Sequence, residues 1–158
     1  MLHIKRIENE AEFLPVIRQL FTAYCEELAE DLTFQKFDEE LQSPLKKYGP
    51  PCGSLFIAWN EKTAIGCIAL QKITDDTCEM KRLFVLPQFR KDGVGKALIE
   101  ALLDDAKEKR YSKMVLDTLD RLHAAIRLYA HYGFKETTAY YANPIPSVVY
   151  MEKILLSD

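Results

Sequence analysis

The chain opens on LHIKRI, where apolar and polar positions alternate as in a short strand, and then the period changes. From Glu10 to Leu28 the apolar residues Phe13, Ile17, Leu20, Phe21, Tyr24 and Leu28 recur at spacings of three and four, which predicts an amphipathic helix. A shorter helix is predicted from Phe37 to Tyr48 in spite of Pro44, and PPCG then marks a loop into the strand SLFIAW. Asn60-Glu61-Lys62 turns that strand into TAIGCIALQKI, and Thr74-Asp75-Asp76-Thr77 turns it again into CEMKRLFVL. These three strands form an antiparallel meander.

The meander runs into LFVLPQFRKDGVG, whose part from Arg90 to Gly95 has the form R-x-x-G-x-G. A strand that breaks at Pro87 and resumes as a helix across two glycines presents several free backbone N–H groups to one point. Without side chains at Gly93 and Gly95 a diphosphate approaches the backbone closely, drawn by roughly half an elementary charge at the helix N-terminus. In the helix that follows, Val94, Ala97, Leu98, Ala101, Leu102 and Ala106 share a face, whereas Lys96, Glu100, Asp104, Asp105 and Lys107 lie largely away from it.

Beyond this helix the pattern predicts the strand KMVLDT, a helix from Ala124 to His131, a strand from Phe134 to Tyr141, a loop ANPIP and a last strand VVYMEKIL. The order β-α-α-β-β-β-α-β-α-β-β implies an α/β fold, a mixed sheet with helices on both faces. Its βαβ unit carries the glycine turn at the strand-to-helix junction. At 158 residues and 48% hydrophobic content, residues 1–158 are expected to form a single domain.

Charge and cysteine usage narrow the function. A formal charge of −3 argues against bulk attraction to nucleic acid or to an anionic membrane, but leaves room for a local basic patch of Lys81, Arg82, Arg90, Lys91 and Lys96. Cys25, Cys52, Cys67 and Cys78 show no C-x-x-C spacing, and three lie in apolar runs, as expected of buried, reduced thiols. His3, His123 and His131 have no ligand spacing, so no metal is expected. With no apolar signal region and no stretch long enough to span a membrane, the expected compartment is the cytoplasm.

The glycine turn departs from two well-known nucleotide loops. A P-loop needs G-x-x-x-x-G-K-[ST], but Lys96 is followed by Ala97 and no glycine stands five residues before Gly95. A dinucleotide fingerprint needs Gly or Ala where this chain has Leu98, and PQFRKD separates the strand from the first glycine. Asp117 does lie where a ribose-binding acid would be sought, which keeps that second reading open.

With the turn at Arg90, Gly93 and Gly95 after LFVLP, and with AAIRLYAHYGF from Ala124 to Phe134, the chain resembles the GNAT superfamily of acyl-coenzyme A-dependent N-acetyltransferases. The resemblance covers nearly the whole chain. It implies that acetyl-CoA is the acyl donor, that backbone groups of Leu83, Phe84 and Val85 pair with its pantetheine arm, and that N–H groups of Arg90, Lys91, Asp92, Gly93, Val94, Gly95 and Lys96 hold its pyrophosphate. Physics agrees: two pantetheine amides suit a strand edge, and a diphosphate suits a helix N-terminus. Members often carry Asn three residues before the alanine equivalent to Ala125; this chain has Leu122 there, leaving that contact missing or supplied by His123.

Acetyl transfer to an amine by direct attack, through a tetrahedral intermediate, needs a deprotonated amine, a stabilised oxyanion and a protonated leaving thiolate. An alkylamine of pKa near 10.4 is neutral in only about one molecule in 10³ at pH 7, so a base or a water relay helps. The resemblance offers Glu79, eleven residues before Arg90, where members using a glutamate base on this strand place it, in surroundings expected to be mostly apolar. It offers Tyr129, four residues before Gly133, as the acid facing the coenzyme sulfur, while Tyr132 is expected to pack.

The acceptor pocket is expected to draw on the first two helices and the loop Tyr140-Tyr141-Ala142-Asn143-Pro144-Ile145-Pro146, with Tyr140 and Tyr141 as a stiff apolar wall or as a packed hairpin or dimer contact. Arg82 is placed either against a substrate carboxylate or in phosphate steering or a surface ion pair. The expected acceptor is a primary amine of a small molecule, amino-acid-like or other. A protein or peptide acceptor, or a silent acyl-CoA-binding module, remains as an alternative, and the expected assembly is a monomer or homodimer.

Overall fold

The computed structural model describes residues 1–155. Its centre is a seven-stranded sheet of order β1-β2-β3-β4-β5-β7-β6, built from Leu2–Arg6 (β1), Ser54–Asn60 (β2), Thr63–Lys72 (β3), Thr77–Val85 (β4), Lys113–Leu119 (β5), Lys135–Thr137 (β6) and Val148–Ile154 (β7). All neighbours are antiparallel except β4 and β5. That single parallel pair is joined through the glycine turn and the helix Val94–Glu108 (α4).

Each face is sealed by a separate apolar layer. On one side α4 and the helix His123–His131 (α5) bury Leu98, Leu102 and Tyr129 against Ile68, Leu70, Met80 and Leu116. On the other, the helices Glu10–Leu28 (α1), Phe37–Gln42 (α2) and Pro44–Tyr48 (α3) bury Ile17, Phe21, Phe37 and Tyr48 against Leu55, Ile57 and Phe84. Removing a side chain such as Leu98 from water is worth roughly 2 kcal/mol, and these two layers hold the sheet between them.

Four expectations change. The helix predicted over Phe37 to Tyr48 breaks at Ser43 because Pro44 cannot continue the hydrogen-bond ladder but serves well as the first residue of α3. The strand predicted from Phe134 to Tyr141 shrinks to Lys135–Thr137, so Tyr140 and Tyr141 belong to a loop. Asp105, expected away from the apolar face of α4, is buried at 4% exposure, where its carboxylate accepts from Ser54 Oγ, Arg6 Nη1 and Lys109 Nζ. Of the cysteines, Cys67 and Cys78 are buried, Cys25 is half-buried and Cys52 is exposed, all with free thiols.

Candidate active site

The site begins where β4 and β5 part. Their pairing ends at Glu79 opposite Val115, after which β4 stays bonded to β3 alone and β5 to β7 alone. The edges from Met80 to Val85 and from Leu116 to Leu119 thus face one another unpaired. They line a cleft of about 660 Å³, continued by Tyr24, Gln35, Gly95, Ala125, Leu128 and Tyr129.

A bulge at Arg82 sets the curvature of that edge. Cys67 pairs with Phe84 but Ala69 pairs with Lys81, so Arg82 and Leu83 together oppose Ile68, and Arg82 takes a left-handed φ of 60°. Phe84 then turns toward the α1 layer, while Leu83 and Val85 turn toward α4 and α5.

At the outer end of the cleft lies the glycine turn. Gly93 has φ 79°, a conformation that costs other residues about 1–2 kcal/mol, and a Cβ there would meet nothing within 4 Å. No side chain caps α4. Its first intrahelical donor is Ala97, bonded to Gly93 O at 3.1 Å, so the N–H groups of Gly93, Val94, Gly95 and Lys96 are left for a ligand. The Arg90 side chain is already engaged, with Nε donating to Val85 O at 2.8 Å and Nη2 to the Glu27 carboxylate. The turn therefore offers backbone donors. An uncapped four-donor nest beside an unpaired strand edge fits the diphosphate and amides of a coenzyme A molecule.

Tyr129 stands at the inner end, 7% exposed, and its hydroxyl has no hydrogen-bond partner among the described residues. Burial raises its phenol well above the ordinary tyrosine value, with Tyr24 and the Asp117 carboxylate adding to the shift. It stays a proton donor across the neutral range. Tyr132 is half-buried and donates to Glu100 Oε2 at 2.9 Å, which matches a packing role rather than a place in the cleft. Leu122 and His123 both line the cleft.

The α1 side of the sheet carries a polar cluster. Glu79 is buried at 2% exposure, outside the cleft lining, where it accepts from Tyr140 Oη and Gln71 Nε2 and lies 4.0 Å from Lys81 Nζ. Its surroundings are thus polar, not mostly apolar as expected, because the tyrosine loop folds back onto it. Lys81 lines the cleft, donates to Gln35 Oε1 at 3.0 Å, and is pushed down to about 8 by burial, with Glu79 opposing the shift.

Arg82 is 2% exposed and holds Glu40 of α2, Nε to Oε2 at 2.7 Å and Nη2 to Oε1 at 3.0 Å. Neither Lys81 nor Arg82 joins Arg90, Lys91 and Lys96 in a surface basic patch, since both are enclosed under α1 and α2. Arg82 makes a buried ion pair, not a surface one.

Tyr141 donates to Asp117 and receives from Gln35 Nε2 at 3.0 Å, and Asn143 Nδ2 donates to Asp117 Oδ2 at 2.8 Å. Lys81, Gln35, Asp117 and Asn143 all line the cleft; Asn143 belongs to the loop expected there, whereas sequence reasoning gave Lys81, Gln35 and Asp117 no role in acceptor binding. The signal for two of them was charge inside an otherwise apolar strand, at Lys81 in CEMKRLFVL and Asp117 in KMVLDT. Among the described residues no group of three His, Cys, Asp or Glu side chains could hold a metal ion, and no helix is long and apolar enough to cross a membrane.

Comparison with known proteins agrees with this geometry. The chain is 47% identical over 136 residues to an uncharacterised N-acetyltransferase of Schizosaccharomyces pombe, covering 85% of this chain and 83% of the relative. It superposes on an acetyltransferase from Streptococcus agalactiae with a TM-score of 0.81, at 25% identity and 98% coverage of both. The fold is also that of a PaiA N-acetyltransferase from Thermoplasma acidophilum solved in complex with coenzyme A, with a TM-score of 0.72, 18% identity, and coverage of 96% of this chain and 99% of that one. Residues 14–134 match the model of the GNAT acetyltransferase family. The parted strands, the uncapped glycine turn and these matches together make this chain an N-acetyltransferase of the GNAT family.

Proposed function

We propose that residues 1–158 form a single cytoplasmic acetyltransferase domain that moves an acetyl group from acetyl-CoA to a primary amine of a small molecule. The observation that carries this reading is the continuous cleft from the glycine turn at Gly95, along the unpaired edge of β4, to Tyr129. The free thiols, one of them exposed at Cys52, suit a reducing compartment.

Acetyl-CoA supplies the activated acetyl thioester. Backbone groups of Leu83, Phe84 and Val85 would pair with its pantetheine amides, and main-chain groups from Arg90 to Lys96 would hold its diphosphate. With the coenzyme bound, Tyr129 would give its phenolic proton to the departing sulfur and regain one from solvent. Glu79 is the final proton acceptor, reached through Lys81: the ammonium of Lys81, 4.0 Å away, passes a proton to Glu79 through one bridging water, and its neutral nitrogen then takes one from the acceptor amine. A nitrogen that titrates near 8 is neutral in about one molecule in ten at pH 7, roughly two hundredfold more often than a free alkylamine of pKa about 10.4.

A small acceptor is favoured by the hydrogen-bonded bridge Gln35–Tyr141–Asp117–Asn143, which ties the segment after α1 to the loop before β7 along the acceptor side. A peptide would need an open groove there. The test is thiol release from acetyl-CoA against amino acids, polyamines, aminoglycosides and peptides. Turnover confined to small amines is expected, whereas turnover confined to peptides would overturn the acceptor class.

A further inference from the structure

The carboxylates on the acceptor face differ in how closely a cation approaches them. Arg82 and Lys47 share Glu40, Lys81 stands beside Glu79, and Asp117 has no cationic side chain within 4.0 Å among the described residues. Only neutral groups hold it, the Tyr141 hydroxyl and Asn143 Nδ2, both on Oδ2. Its Oδ1 accepts nothing. The residue lines the cleft two positions beyond Val115, where β5 has left β4, so it sits on the acceptor side of the opening between the strands. Its carboxylate acts on Tyr24 of α1, Lys81 of β4, Tyr129 of α5, and Tyr140 and Tyr141 of the loop, so it stands central to the ionisable groups of the site.

A half-buried carboxylate with one oxygen clamped and the other free, lining a cleft whose cationic side chains all stand more than 4.0 Å from it, has room to take a cation from outside. Accordingly we propose that Asp117 receives the ammonium of the acceptor through Oδ1, and that the acceptors are alkylamines which arrive charged. This inference rests on the acetyltransferase reading above. It gives Tyr141 and Asn143 a positioning role, since their two donors fix the carboxylate plane and leave Oδ1 toward the cleft. It also sets the amine on the strand facing Lys81, which takes its proton.

The test uses the whole chain, with thiol release measured at saturating acetyl-CoA for benzylamine, spermidine and L-lysine, which are cationic at neutral pH, and for hydroxylamine, which is largely uncharged. Asp117→Asn should raise KM for each cationic acceptor by about 10- to 100-fold, the range expected for losing a charge-assisted hydrogen bond, while KM for acetyl-CoA and kcat/KM for hydroxylamine stay within about threefold. Tyr141→Phe should raise the cationic KM less. An equal loss for hydroxylamine and the cations would mean that Asp117 only shapes the loop, and an unchanged KM for the cations would mean that it does not bind them; either result overturns the proposal. Should the wild type release no thiol with any of these amines, the small-amine reading fails by itself. Calorimetry with benzylamine in the presence of coenzyme A then decides the inference: binding lost in Asp117→Asn supports it, and no binding to the wild type, or equal binding to both, overturns it.

Discussion

Arg82 and Glu40, 42 residues apart in sequence, form a bidentate ion pair with both side chains 1% exposed. The bulge that gives Arg82 its left-handed backbone directs the guanidinium under α2, where it lies 5.3 Å from the Tyr24 ring centre and 5.4 Å from that of Phe37. Glu40 also accepts from Tyr48 Oη at 2.8 Å and Lys47 Nζ at 3.2 Å, so every donor aimed at it is satisfied. The pair fixes α2 against the strand that lines the cleft. Arg82 Nη2 also donates to Gln35 Oε1 at 2.9 Å, and the residue lines the cleft.

Breaking such a pair leaves a buried charge uncompensated, which costs about 3–5 kcal/mol. Glu40→Gln should therefore lower the denaturant midpoint by the equivalent of a few kcal/mol. Its partners hold the Glu40 carboxyl below the ordinary glutamate value, against the desolvation that opposes them. A depressed carboxyl contributes stability that is present above the unfolded value of about 4.3 and is lost as pH falls. The wild type should thus lose stability below that pH more steeply than Glu40→Gln, and parallel acid curves would show that the pair carries none of this.

At the glycine turn, backbone strain and ligand charge can be separated. Gly93→Ala adds a methyl into open space and should cost only the left-handed backbone penalty, about 1–2 kcal/mol, with the rise in melting temperature on adding acetyl-CoA preserved. Gly93→Asp suffers similar strain but sets a negative charge beside the diphosphate, and should abolish that rise. Equal stabilisation of the aspartate variant and the wild type, both folded, would remove the turn from coenzyme binding.

How much of this was written in the chain depends on distance. The turn and α4 follow from local signals, two glycines and a 3.6-residue period, and the meander follows from its Asn and Asp turns. The Arg82 bulge carries no such signal, since Arg rarely adopts positive φ and nothing nearby marks it. Its partner Glu40 lies on a helix that looks solvent-facing until α1 and β4 close over it. The loop at Tyr140 and Tyr141 read as strand because aromatic residues favour sheets; hydrogen bonds from both hydroxyls to the carboxylates of Glu79 and Asp117 draw it out of the ladder instead. For Asp117 the residue was legible and its task was not, because a carboxylate in a strand gains a function only from the strand that fails to pair with it.

Tyr129→Phe keeps the ring that packs edge-on against Phe134, at 6.0 Å between centroids, and deletes only the unpartnered hydroxyl. Turnover should fall by roughly 10²-fold with little change in acetyl-CoA affinity, measured in single-turnover experiments so that product release does not mask the chemical step. Because the phenol is raised in the folded state, it contributes stability that is fully present below the unfolded value of about 10 and lost above it. The phenylalanine variant should accordingly unfold less readily in alkali than the wild type. Wild-type turnover in the variant would assign the proton to water and leave Tyr129 as packing.

If protons leave the acceptor through Lys81 to Glu79, the two side chains form one path and their loss must not add. Glu79→Gln keeps the shape and one acceptor for Tyr140, and should lower kcat/KM most near neutral pH while leaving acetyl-CoA affinity nearly intact. The loss should shrink as pH approaches that of the free amine, near 10.4, where the acceptor sheds its proton unaided. Lys81→Met should give a profile of the same form, because it interrupts the path one atom nearer the cleft. The double variant should then be no slower than the slower single variant, the signature of residues acting as a unit. A loss in Glu79→Gln that is constant with pH would return that residue to a structural role under the Tyr140 hydroxyl. Additive losses at constant stability would place Lys81 and Glu79 on separate tasks, with Lys81 acting on the acceptor alone.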